Sequence, residues 1–273
     1  MKKIIAILII IIVALFIFLD MKLNDNVQKN ESSNNANIES GVEEKTEVAN
    51  TEESTKVDLD SNENKVKIAQ KEKQDYNALV IGNSLTLEKG GIGMAASDEY
   101  HDYYYLVKKK LSENYAKLNM NRISAIHWEE NRIISSRTDW INENLPEETV
   151  KNLDLVIFQL GDNCVPTEQF EQSATELINH VKKYSPNAKM LWVGMWFINE
   201  ERLAMLPNIC EKNGVEFVNI SDLVVDEYKS HVGATLTSTT GEIMAIETIE
   251  EAFHPNDEGM KQIANRIIEK LEL

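Results

Sequence analysis

Three positions in the chain carry residue types suited to attack on an acyl carbon. The first is Ser84, in Val80-Ile81-Gly82-Asn83-Ser84-Leu85-Thr86, where a hydroxyl follows an apolar run and a glycine. The second is Asn163, in Leu160-Gly161-Asp162-Asn163, whose amide is a donor of the kind that holds charge developing on a carbonyl oxygen. The third is His254, in Phe253-His254-Pro255-Asn256, with Glu251 three residues before it. Histidine beside a carboxylate is the arrangement that activates a serine hydroxyl. Each signal alone has a plainer reading. A serine after a strand is commonly a turn or cap residue, Gly-Asp-Asn is commonly a turn, and a single histidine is commonly structural or exposed.

The surrounding pattern says which elements must position these groups. Asn77–Ile81 is a short apolar run ending at Gly82, as a buried strand would be. Tyr104, Val107, Leu111 and Tyr115 have helical spacing, and Ile123–Trp128 is read as a second strand. Leu153–Leu160 is almost continuously apolar, as in a sheet covered on both faces. Phe170, Ala174, Leu177, Ile178 and Val181 mark one face of a following helix. Met190–Met195 predicts a fourth strand, residues 200–213 a helix and Val215–Ile220 a fifth strand. Asn256 and Asp257 can cap a last helix whose stripe is Met260, Ile263, Ala264, Ile267, Ile268 and Leu271. Strands alternating with helices imply a parallel sheet with helices on both faces, which binds ligands at the strands' carboxyl ends. Gly82–Thr86 and Gly161–Cys164 follow the first and third strands, so the two polar loops fall where that rule puts a site.

Taken together and in this order, the three signals resemble the blocks of the SGNH (GDSL-like) hydrolases. Gly82-Asn83-Ser84 looks like the family's Gly-Asp-Ser, with Asn in place of Asp. Gly161-Asp162-Asn163 matches Gly-x-Asn, and Glu251-Ala252-Phe253-His254 looks like Asp-x-x-His, followed by Pro255 and Gly259. The resemblance runs along residues 76–273. It implies an α/β fold, a three-layer α/β/α sandwich on a mostly parallel five-stranded sheet of flavodoxin-like type. It also implies a nucleophile at Ser84 and a base at His254. Glu251 would orient His254 or, alternatively, serve as a helix-cap carboxylate and leave a Ser–His dyad. The oxyanion would be held by the Ser84 N–H and the Asn163 side chain. The family's second block adds a glycine N–H, but no glycine occurs between residues 120 and 150, and Asn131 is the positional placeholder.

The implied activity is hydrolysis of O-acyl esters, O-acetyl foremost, through an acyl-serine, on a small-molecule or glycan substrate at the cell surface or wall. An O-acyltransferase using the same serine, and a glycan-binding protein on an inactive hydrolase scaffold, are the alternatives. No metal or organic cofactor is implied; His101, His127, His180 and His231 lack metal-ligand spacing.

Outside the hydrolase-like domain at 75–273 the composition changes sharply. Residues 1–19 begin with Lys2 and Lys3 and continue as an apolar run from Ile4 to Leu19. They read as an N-terminal membrane anchor or signal segment. The run is slightly short of the roughly 20 residues that span a bilayer, yet no small-x-small cleavage site follows it. An uncleaved anchor would leave the catalytic domain outside the cell membrane, by the positive-inside bias; a cleaved one would release it. Residues 20–74 lack Phe, Trp, Tyr and Pro and form a polar linker. As a flexible coil they would reach about 40 Å r.m.s.. The net charge is −17, and residues 1–74 hold 10 basic and 13 acidic side chains, which leaves −14 on residues 75–273. That balance disfavours nucleic acid as a partner. Cys164 and Cys210, the only cysteines, could pair or simply pack. Glu129 and Glu130 read as part of a solvated loop, Gly90–Gly93 as a rim, and residues 229–249 as a lid or a surface hairpin.

Overall fold

The computed structural model describes residues 75–273. The predicted anchor at 1–19 and linker at 20–74 lie outside the described residues. Among those described, no helix is long and apolar enough to cross a membrane.

The chain alternates strand and helix. β1 (Asp75–Gly82) leads to α1 (Tyr103–Ser112), β2 (Lys117–Ser124), α2 (Ile126–Glu130), α3 (Ile134–Asn144) and α4 (Glu147–Val150). β3 (Leu155–Gln159), α5 (Phe170–Tyr184), β4 (Lys189–Val193), α6 (Glu200–Lys212) and β5 (Glu216–Val218) follow. A hairpin of β6 (Thr235–Thr237) and β7 (Ile243–Ala245) precedes α7 (Ile249–Ala252) and the last helix, α8 (Asp257–Leu271). The main sheet has five strands in the order β2-β1-β3-β4-β5, and every pairing in it is parallel. The chain thus adopts the α/β fold that the alternating pattern predicts.

Strand periodicity sorts the core into two layers. Ala78 and Val80 of β1, with Leu155 and Ile157 of β3, face one side, where Tyr103, Val107 and Leu111 of α1 and Met260, Ile263 and Ile267 of α8 cover them. Leu79 and Ile81, with Val156 and Phe158, face the other, against Trp128 of α2, Trp140 of α3, Leu177 of α5 and Ile209 of α6. Because β3 is central, all five of its residues are buried, which accounts for its unbroken apolar run.

The second strand departs from expectation. It is Lys117–Ser124, whereas Ile126–Glu130 is helical, so the reading of Ile123–Trp128 as a strand is corrected. β2 lies at the sheet edge and pairs only with β1. Met120 is its single buried residue, so it needs no apolar run. Trp128 is fully buried from a helix instead.

The excursion at residues 229–249 is a hairpin docked on the loop after β1. Thr239 N–H donates to Gly90 O at 2.9 Å and Thr237 N–H to Ser97 O at 2.7 Å, while Leu236 and Ile246 are buried beneath. Cys164 and Cys210 are both buried and unpaired.

Candidate active site

Gly82 ends β1 and the chain turns at once: the N–H groups of Thr86 and Leu87 both donate to Asn83 O, at 2.9 and 3.0 Å. A glycine is required there, because a Cβ on residue 82 would lie 1.8 Å from Thr86 Oγ1. The turn presents Ser84 at the carboxyl end of the sheet. His254 reaches it from the segment between α7 and α8, and Ser84 Oγ lies 2.9 Å from His254 Nε2. These residues are 170 apart in sequence, and each is 7% exposed.

The other ring nitrogen determines what His254 can do. Nδ1 is 3.0 Å from Glu250 O and 3.1 Å from Glu251 O. Carbonyl oxygens only accept, so Nδ1 carries the hydrogen and Nε2 of the neutral ring is free to accept from Ser84. Burial lowers the His254 pKa, and the two carbonyls pull against that shift. The ring edge packs on Phe197, centroids 4.7 Å apart.

Glu251 takes the alternative role. One carboxylate oxygen binds Lys89 Nζ at 2.9 Å; the other accepts the N–H of Glu247 at 2.6 Å and of Thr248 at 3.4 Å. With Thr248 Oγ1 accepting from Glu251 N–H, this is a capping box at the start of α7. The expectation that the Glu251 carboxylate orients His254 is therefore corrected. Its main-chain oxygen faces the ring, and its carboxylate closes the helix.

Asn163 lies half-buried in the loop after β3. Its Nδ2 donates to Glu129 Oε2 at 2.8 Å, and an amide nitrogen has a second hydrogen to give. The Ser84 N–H has no acceptor among the described residues, so both donors expected of the oxyanion hole have an N–H to offer. The main chain of Asn131 does not. This residue is the C-cap of α2, where its main-chain N–H donates to His127 O at 3.2 Å and its Nδ2 donates to the same oxygen at 2.8 Å. The placeholder role given to the Asn131 main-chain N–H is corrected: that N–H is used in ending a helix.

The sequence reading missed what lies beneath. Glu129 is fully buried rather than solvated. Its oxygens accept from Gly161 N–H, Asn163 Nδ2 and Asn83 Nδ2. Asp162 is nearly as buried. Its Oδ2 accepts from Asn83 Nδ2 at 2.7 Å and Gln159 Nε2 at 3.0 Å, and its Oδ1 accepts from Trp196 N–H at 2.8 Å and Phe197 N–H at 2.7 Å. Asn83 bridges the two carboxylates, and its own Oδ1 accepts Leu85 N–H at 3.1 Å. Burial raises both acids; burial and the Asp162 charge push Glu129 up to about 7 against the pull of its N–H donors. Arg137 ties down the main chain of α2 through Trp128 O at 3.1 Å and Glu129 O at 3.2 Å. Arg202 holds Asp162 O at 3.1 Å and also binds Cys164 O. No signal in the sequence points to Glu129, because its donors Asn83 and Asn163 lie 46 and 34 residues away.

Among solved structures, the chain is similar to a two-domain esterase active on acetylated mannans, with 16% identity and a TM-score of 0.51 over 74% of this chain and 50% of that one. The same esterase co-crystallized with mannopentaose gives 17% identity and a TM-score of 0.51, over 74% and 51% of the two chains. The chain thus spans about half the length of that esterase, and at this identity the likeness is one of fold. No protein-family model matches the sequence, and no curated protein does.

Proposed function

We propose that the chain is a serine esterase that removes O-acyl groups, acetyl foremost, from an extracellular or cell-wall glycan. The observation that carries this reading is the 2.9 Å contact between Ser84 Oγ and a His254 ring whose Nδ1 is committed to two carbonyls. Nε2 takes the serine proton as Oγ bonds to the acyl carbon, and the carbonyl π electrons move onto oxygen. That oxyanion accepts from Ser84 N–H and Asn163 Nδ2, donors worth roughly 2.7–4 kcal/mol each in systems where one was removed. On collapse the C–O bond to the alcohol breaks, and the departing oxygen takes the proton from Nε2. Water then repeats the sequence on the acyl-serine, with His254 as base, and releases the acid.

The glycan assignment has two supports: the fold is shared with an esterase that acts on acetylated mannans, and the sequence begins with an apolar run suited to export or anchoring. By the same reading, residues 1–19 hold the catalytic domain at the outer face of the cell membrane.

The test is hydrolysis of an aryl acetate, then of acetylated glycans, by the protein and by Ser84→Ala. Turnover lost in the variant supports the acyl-serine route. Equal turnover by both, or none by either, sinks it. Acylated sugar formed in preference to free acid would instead mark a transferase.

A further inference from the structure

A buried carboxylate, Glu129, contacts the proposed oxyanion donor and takes no part in the acyl transfer itself. Asn163 has one hydrogen-bonding side-chain partner among the described residues, and it is Glu129 Oε2 at 2.8 Å. An amide on a half-buried loop rotates about its terminal bond unless something fixes it. One hydrogen pinned to Glu129 fixes the plane and hence the direction of the other. The same carboxylate holds the N–H of Gly161, the residue at which the chain leaves β3 with φ 127°.

Glu129 is itself well anchored. It sits on α2, whose last carbonyls are gripped by Arg137. It also shares Asn83 with Asp162, at 3.1 and 2.7 Å. Asn83 adjoins the nucleophile. The carboxylate thus joins the nucleophile turn to the oxyanion loop across 46 and 34 residues of sequence.

Resting on the esterase reading, we infer that Glu129 is a positioning residue that aims the Asn163 amide at the oxyanion. Preorganised donors are effective because they need no reorientation when charge develops. A negative charge behind the hole opposes that same oxyanion. The arrangement helps the reaction only if alignment outweighs repulsion, which makes the sign of the effect decisive.

The experiment is a double-mutant cycle with Glu129→Gln and Asn163→Ala, read as kcat and KM on an aryl acetate, with melting temperature recorded for each protein. Asn163→Ala should lower kcat by about 10²–10³-fold. Glu129→Gln keeps the shape but places an NH2 among groups that only donate to it. It should lower kcat about 10–100-fold with KM within about twofold, and by no more than about threefold once Asn163 is already alanine. Glu129→Asp keeps the charge and withdraws it by one methylene; it should lower kcat in the same way. Additive losses, or an unchanged or faster Glu129→Gln enzyme, overturn the inference while leaving the esterase reading intact. Loss of the fold in both Glu129 variants assigns the residue to stability and overturns it too. A wild-type protein that neither turns over aryl acetate nor reacts with a fluorophosphonate at Ser84 overturns the esterase reading, and the inference with it.

Discussion

Lys89 Nζ holds a Glu251 carboxylate oxygen at 2.9 Å, and the second oxygen is taken by main-chain N–H groups at the start of α7. Neither oxygen bonds the His254 ring. What the ring meets is the Glu251 main-chain oxygen, one turn of α7 having brought it and that of Glu250 to within 3.1 Å of Nδ1. A carbonyl sets the tautomer as a carboxylate does, but it offers less to the imidazolium because it has only a partial charge.

Glu251→Ala should therefore leave kcat within about tenfold of the wild type, since the carbonyl stays. Loss of a buried triad carboxylate costs about 10⁴-fold where it has been measured. The variant should lose roughly 1 kcal/mol of stability with its capping box. Steady-state kinetics and urea unfolding on one preparation would check both, and a 10⁴-fold fall in kcat would return the carboxylate to the catalytic group.

The rate should fall in two stages on the acid side. Glu129, pushed up to about 7 by burial and Asp162, becomes a weaker acceptor for Asn163 as it protonates, because one oxygen then carries a hydrogen. His254 is shifted the other way, below its ordinary 6.5, by burial. Its neutral form, the base, therefore persists to lower pH and is lost as pH drops through that depressed value. A profile of kcat/KM from about pH 8.5 to about pH 5 should show a shallow step near neutrality and a steep one below about 6.5. In Glu129→Gln only the second should remain, and a single limb at or above 6.5 in that variant would count against His254 as the base.

Particular residues show how far one-dimensional reading reaches. Ser84, Asn163 and His254 were legible because each follows or precedes an element with a strong apolar period, and the rule for parallel sheets places strand ends together. The central strands were legible for the same reason: β3 is buried on both faces. β2 was not, because an edge strand with Asn119 and Asn121 carries no apolar signature. Glu251 stays open between two roles in the sequence, since spacing from a histidine cannot tell whether the side chain or the carbonyl of a residue faces it. Glu129 was invisible for a deeper reason. A buried carboxylate is stable only with donors around it, and its donors Asn83 and Asn163 come from other loops.

The asparagine at 83 then has a physical explanation. Its amide gives one hydrogen each to Glu129 and Asp162. Asn83→Asp would put a third buried acceptor against two that already need donors. Stability should fall by roughly 3 kcal/mol or more, measured as the urea midpoint near neutral pH. The loss should shrink as pH falls from the raised values of the buried acids, about 7 for Glu129, and vanish below the ordinary carboxylate range, where the unfolded chain is protonated too. A variant as stable as the wild type at neutral pH would show that the pair tolerates a carboxylate there and needs no bridge.

The nucleophile turn should be equally sensitive to one methyl group. A Cβ at residue 82 meets Thr86 Oγ1 at 1.8 Å, and Thr86 cannot swing away freely, because Oγ1 is 2.6 Å from Tyr103 Oη inside the core. Gly82→Ala should cost about 1–3 kcal/mol by overpacking and lower kcat by displacing Ser84 from His254. The contact named is a side chain, so removing it should relieve the strain. Gly82→Ala with Thr86→Gly, which removes Thr86 Cβ at 2.6 Å from the added methyl as well as Oγ1, should recover stability and activity relative to Gly82→Ala alone, whereas two independent losses would simply add. A double variant as poor as the sum would place the strain in the Gly82 backbone rather than against Thr86, and urea unfolding with kcat on the four proteins separates the two.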